Sequence, residues 1–233
     1  MSNLQRLRDN IEAIECALTG KGDAQVLNKY TGFGGLGFVL NPIDDKSKWN
    51  KTDAVCYKDT VRLVEMLREY AGSEKMAKKW MASLKASTLT AYYTPVDVVD
   101  NIMIPLFGMK RAADGGIVSG SLRCKFKTML DPAAGMGVFA KTFLWYARNY
   151  GGECTCFEKD ILTAAMLKAS LGGQTAEHRD GGNTAVYCDG FEHFPDEELG
   201  MYDLVSTNVP FGSIAVFDDA YSNSALEVRQ DAA

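Results

Sequence analysis

A chain of 233 residues with 46% hydrophobic and 24% charged side chains holds enough apolar material for one sizeable core, or one core and a small appendage. Its formal net charge of −5 argues against the broad basic surface of a free-standing duplex-DNA binder. Every apolar stretch is broken by charge or glycine before the roughly 20 residues of a membrane span, and the polar N-terminus does not read as a signal peptide, which predicts a cytoplasmic protein with no membrane contact.

In chain order, Leu4, Leu7, Ile11, Ile14 and Leu18 recur at helical spacing up to Gly20 and predict an amphipathic helix. A short helix over 24–30 follows, then a glycine-rich loop, Tyr30-Thr31-Gly32-Phe33-Gly34-Gly35-Leu36-Gly37. A helix precedes this loop where a nucleotide loop needs a strand, and no Lys-Ser/Thr closes it, so a phosphate cradle is disfavoured. Helices are predicted over 60–70 and 74–85, parted by Ala71-Gly72-Ser73. Lys75, Lys78, Lys79 and Lys85, or Arg123, Lys125 and Lys127, form small clusters of the kind a solvated face commonly carries.

From Lys127 the texture changes to strands alternating with helices: a strand over 128–130, a glycine turn, a helix over 138–149, a strand over 153–157, a helix over 161–171, and strands over 184–188 and 202–207. This alternation predicts βαβ units and a mainly parallel sheet, whose ligands sit beyond the carboxyl ends of the strands. The expected division is an N-terminal helical region with its glycine-rich loop, 1–86, and an α/β domain, 87–233. The six scattered cysteines form neither a zinc pattern nor a disulfide framework, and no metal site is expected. Cys154 and Cys156 should share one face of a strand and pack as small hydrophobes.

After the first of these strands stands Asp131-Pro132-Ala133-Ala134-Gly135-Met136-Gly137, directly before a helix. Glycines there allow close backbone approach to a ligand, and the helix start offers unpaired N–H groups. The carboxylate of Asp131 would repel a pyrophosphate but suit an ammonium group. Glu158, at the end of the second strand and about 20 residues beyond the glycine turn, has the placement of a ribose-binding acid. After the third strand, Asp189-Gly190-Phe191 fits either an adenine contact or a plain turn. After the fourth, Asn208-Val209-Pro210-Phe211 offers an amide oxygen and a backbone carbonyl to one exocyclic amine, with an aromatic ring for a flipped base.

These residues resemble the amino-methyltransferase family, especially the N6-adenine DNA methylases with an Asn-Pro-Pro-Tyr/Phe motif. The resemblance covers roughly 87–213 and implies a Rossmann-like, S-adenosyl-L-methionine-dependent sheet. It implies that Asp131, Ala133, Gly135, Gly137, Glu158, Asp189 and Phe191 hold the cofactor, with Tyr93, Thr94 and Pro95 of Ala91-Tyr92-Tyr93-Thr94-Pro95 closing its methionine end. Asn208 and Pro210 would orient the adenine amine, and Phe211 would stack on the base. Leu27 to Leu36 and Ser87 to Thr94 also resemble the methylase region of large helicase-methylase proteins of conjugative elements and phages, which implies a role in modification or protection from restriction. Val209 departs from the motif's second proline, a position that supplies no side-chain acceptor. About 22 residues follow Phe211 where the family has three further strands and a target-recognition region; the expectation is therefore a sheet cut short after its fourth strand, completed by a further domain or chain. DNA is the expected partner. Alternatives are methylation of a protein glutamine or an RNA, or a non-catalytic cofactor-binding or assembly module; a nicotinamide dehydrogenase accounts for the glycine turn but predicts nothing at Asn208 to Phe211.

Overall fold

The structure, a computed structural model, describes residues 2–20, 23–36, 47, 51–90, 93–119, 126–171, 183–194 and 200–209. Helix α1 (Asn3–Thr19) lies between two caps: Ser2 Oγ accepts the Gln5 N–H, and Gly20, at φ +64°, turns the chain out of the helix. Leu7, Ile11 and Ile14 are buried, as their spacing predicts. Helix α2 (Ala24–Leu27) stops short of Tyr30, because the next turn swings the Tyr30 ring inward, edge-on to Phe33.

The glycine-rich loop is packing material. Phe33 and Leu36 are fully buried. The buried Asn10 of α1 donates to Gly32 O at 2.7 Å and accepts the Thr31 N–H at 2.9 Å. Arg6 donates to the carbonyls of Thr31 and Gly32, and Gly35 N donates to Thr88 O at 2.9 Å. These polar groups are thereby satisfied inside the protein.

Helix α3 (Lys51–Tyr70) begins ahead of the predicted start at 60, since its first turns are polar and bury Cys56 rather than an apolar stripe. Helix α4 (Glu74–Thr90) likewise outruns its predicted end at 85. Helix α5 (Val96–Leu106) and an antiparallel pair, β1 (Met109–Arg111) with β2 (Ile117–Ser119), were not predicted. In α5 the β-branched Val96, Val98, Val99, Ile102 and Ile104, together with Pro105, hide a helix whose Val99, Met103 and Ile104 are buried.

The α/β part follows the predicted alternation: β3 (Thr128–Asp131), α6 (Val138–Ala147), β4 (Glu153–Phe157), α7 (Ile161–Leu171), β5 (Asn183–Tyr187) and β6 (Leu204–Val205). The predicted helix end at 149 falls in a 3-10 turn, Arg148–Tyr150. The four strands form a parallel sheet in the order β5-β4-β3-β6. The chain steps outward from β3 to β4 to β5 and then returns to the far side of β3. The topological switch point, where an open α/β sheet binds ligands, thus lies between β3 and β6. Asp203 fixes that junction: its Oδ2 accepts from Lys127 N at 2.7 Å and Thr128 N at 3.1 Å, and its own N–H donates to Thr128 Oγ1.

Alternate residues of each strand face opposite sides. Met129, Cys154 and Cys156 join Phe139, Phe143 and Tyr146 of α6 and Leu167 of α7 in one core, the two thiols 3.7 Å apart and free. On the other face Phe157 stacks on Tyr187 and meets Phe191 and Phe194 edge-on. The N-terminal helices pack on α7, with Leu7, Ile14, Leu67 and Leu84 in one cluster with Leu162 and Met166.

Because Asn10 is the internal partner of two backbone groups in the glycine-rich loop, Asn10→Ala should lower unfolding free energy by about 2–4 kcal/mol in urea denaturation, with little change in the slope against denaturant.

Candidate active site

The last residue of β3 is Asp131, fully buried, and its Oδ1 accepts the Ala133 N–H at 3.3 Å. Its Oδ2 and the Thr207 hydroxyl beyond β6 are both buried without a hydrogen bond of ordinary geometry. Burial pushes the Asp131 carboxyl up to about 7, against the opposing pull of Thr207 and of the Ala133 N–H.

The loop after Asp131 depends on two glycines in the left-handed region, Gly135 at φ +54° and Gly137 at φ +71°. A Cβ on Gly135 would lie 2.7 Å from the Tyr93 ring, and one on Gly137 would lie 2.5 Å from Leu167. Tyr93 therefore covers the loop from above, while burial pushes its phenol well above the usual range. Gly135 N donates to Glu158 Oε2 at 2.8 Å, and Asp160 N donates to Oε1 at 2.8 Å, so the acid at the end of β4 holds the loop that follows β3. Burial, reinforced by Asp160, raises the Glu158 carboxyl to about 7 against the pull of the two N–H groups.

Asn208, after β6, donates Nδ2 to Thr94 Oγ1 at 3.0 Å, a bond between segments 114 residues apart. Among the described residues its Oδ1 accepts no hydrogen bond. Asp189 is exposed and uses Oδ1 to accept the Gly190 N–H and to pair with His193 at 2.8 Å, while Phe191 stacks on Phe194. That pairing lowers Asp189 and raises His193. Pro210 and Phe211 lie outside the described residues. The structure thus brings Asp131, Ala133, Gly135, Gly137 and Glu158 together, sets Tyr93 against them, and joins Thr94 to Asn208.

A cavity of about 960 Å³ opens beside this group. Tyr93, Thr94, Pro95 and Met136 form one part of its wall. The remainder includes Arg6, Asn28, Tyr30 and Lys141, none of which sequence reasoning singled out, because the N-terminal helices reach this wall only through tertiary packing. Lys141, four residues into α6, was legible only as a cation on the ligand-facing helix. Among the described residues no group of three or more His, Cys, Asp or Glu side chains is arranged to hold a metal, and no helix is long and apolar enough to cross a membrane.

No protein-family model matches the chain, and comparison with curated proteins gives no match. Among solved structures the chain is similar to a modification subunit assigned to a type I restriction enzyme from Vibrio vulnificus YJ016, at 16% identity and a TM-score of 0.37 over 76% of this chain. The match covers 40% of that subunit. So loose a superposition leaves any functional reading to rest on the chain's own residues.

Two carboxyls whose folded pKa lies above the unfolded value are held neutral by the fold, and their contribution to stability is lost as pH rises through about 7. The melting temperature of the ligand-free protein should therefore fall between about pH 5 and about pH 8, and Asp131→Asn with Glu158→Gln should flatten that slope in a pH series of thermal melts.

Proposed function

We propose that this chain carries the cofactor-binding and catalytic sheet of an S-adenosyl-L-methionine-dependent methyltransferase acting on the N6 amino group of adenine in DNA. The carrying observation is the convergence of Asp131, Glu158 and Asn208 at the carboxyl ends of β3, β4 and β6, beside the switch point, with Thr94 already bonded to Asn208. The residues fit that cofactor. Asp131 Oδ2 is buried without a hydrogen bond of ordinary geometry, the glycine turn permits close backbone approach, and two carboxyls poised to ionise near neutrality favour a cation over a phosphate.

In this reading Glu158 accepts from the ribose hydroxyls, Tyr93 and Pro95 close the methionine end, and Asp189 with Phe191 flanks the adenine of the cofactor. Bound there, S-adenosyl-L-methionine supplies a methyl group already activated by its sulfonium. The work of the protein is positioning. Asn208 Oδ1 accepts one hydrogen of the target amine, which turns the nitrogen lone pair out of conjugation and towards the donor. Pro210 stiffens the turn whose carbonyl accepts the other hydrogen, and Phe211 stacks on the flipped base. The acidic net charge leaves the grip on DNA phosphates, and the choice of target sequence, to a further domain or chain. The similarity of 27–36 and 87–94 to helicase-methylases of mobile elements supports a role in modification or antirestriction.

Calorimetry should show saturable binding of S-adenosylmethionine but not NAD, lost in Asp131→Ala. Because the positive cofactor favours the ionised carboxyls, its affinity should rise from about pH 6 to about pH 8. Absence of binding to folded protein would defeat the cofactor assignment. In a labelled-methyl assay on duplex DNA, Asn208→Ala should cut transfer by about 10²–10³-fold, on the scale of losing one well-placed polar group from a reacting centre. Cofactor binding without transfer to any adenine would instead mark a non-catalytic module.

A further inference from the structure

The cavity beside the glycine loop holds an unbalanced positive charge. Lys141 Nζ touches only a neutral partner, Asn28 Oδ1 at 3.3 Å, and no carboxylate pairs with it among the described residues. Burial alone lowers its ammonium to about 8, with no acid opposing the shift. Arg6, lining the same cavity, donates only to a hydroxyl and to backbone carbonyls. Tyr30, also in the wall and 3% exposed, has a buried hydroxyl that makes no hydrogen bond of ordinary geometry and has Thr163 as its neighbour. Cations that pair with no carboxylate among the described residues, set with a buried hydroxyl around an open volume, leave groups that a ligand can satisfy.

The position of the cavity limits what that ligand is. Met136 belongs to the glycine loop and Tyr93 packs over Gly135, so the cavity adjoins the loop whose other side meets Glu158, although Asp131 and Glu158 themselves are not part of its wall. A helical side chain leans towards the helix N-terminus, which directs Lys141 back to the start of α6, where the unpaired N–H groups also favour an anion. Asp100 lines the cavity as well, so both signs of charge are present, as an α-amino acid requires.

Resting on the methyltransferase reading above, we propose that Lys141, with Arg6, holds the α-carboxylate of S-adenosylmethionine, and so selects the intact amino-acid end of the cofactor.

The test compares S-adenosylmethionine with its decarboxylated form, which keeps the sulfonium and the amine, by calorimetry on the full chain. Wild-type protein should bind the carboxylated ligand at least about tenfold more tightly. Lys141→Met should erase that preference while leaving affinity for the decarboxylated ligand within about twofold, and Lys141→Arg should keep part of it. Equal binding of the two ligands by wild-type protein overturns the inference while leaving the cofactor assignment intact, and it decides the matter even if Lys141→Met fails to fold. Equal weakening of both ligands in Lys141→Met also overturns it. So does a loss of affinity for a short DNA duplex with the ligand preference unchanged, which would give the cavity to a nucleic-acid phosphate. Failure of wild-type protein to bind either ligand removes this inference and the cofactor assignment together.

Discussion

Asp131 stands fully buried at the end of β3 with one carboxyl oxygen lacking a hydrogen bond of ordinary geometry, and the geometry around it follows from keeping that group in place. A buried acid without a complete set of partners is destabilising, and burial lowers the cost by keeping it neutral below about pH 7. β3 is the strand that β4 and β6 flank in parallel, so whatever satisfies Asp131 also meets the residues that follow both neighbours. The switch point follows from topology alone; the orphaned oxygen turns it into a site with a chemical demand.

Glu158 extends the same logic to the loop. Each of its oxygens accepts one backbone N–H, from Gly135 and from Asp160, which ties the turn after β3 to the turn after β4. The two glycines are needed because the turn combines left-handed backbone with contacts that a Cβ would violate, Tyr93 on one side and Leu167 on the other. Thr94, the next residue after Tyr93, reaches Asn208. A single short segment, 93–95, therefore roofs the glycine loop and positions the residue proposed to hold the target amine.

The parallel sheet and its strand-end residues were legible because each depends on local signals: short apolar runs, a glycine turn, and an acid where a strand stops. Glu158 directly follows its strand as predicted, whereas Asp131 closes β3 rather than following it and Asn208 lies three residues beyond the shorter β6. What was not legible depended on packing between distant segments. Helix α5 is written in residues that favour strands, and only the burial of Val99, Met103 and Ile104 against the sheet core makes it helical. The glycine-rich loop has the composition of a phosphate cradle, yet Asn10 and Arg6, 21 to 26 residues upstream, take polar groups of it. Arg6 and Lys141 belong to predicted helices, and nothing local says that both line one cavity.

The contrast between the two ends of the site bears on how it discriminates among ligands. At the strand ends the protein presents carboxyls that ionise more readily beside a positive ligand; in the cavity it presents cations that pair with no carboxylate among the described residues. A dinucleotide would set negative charge against the acids. A simple nucleoside would leave Lys141 and Arg6 unanswered. A molecule with a cation near its centre and a carboxylate at one end satisfies both, and since Thr94 lies in the cavity wall and is bonded to Asn208, filling that end also firms the support of the proposed catalytic amide. On the proposed reading, ligand selection and alignment of the reacting group are consequences of one arrangement, in which the N-terminal segment contributes Arg6 and Tyr30 to a site whose proposed chemistry resides on the sheet.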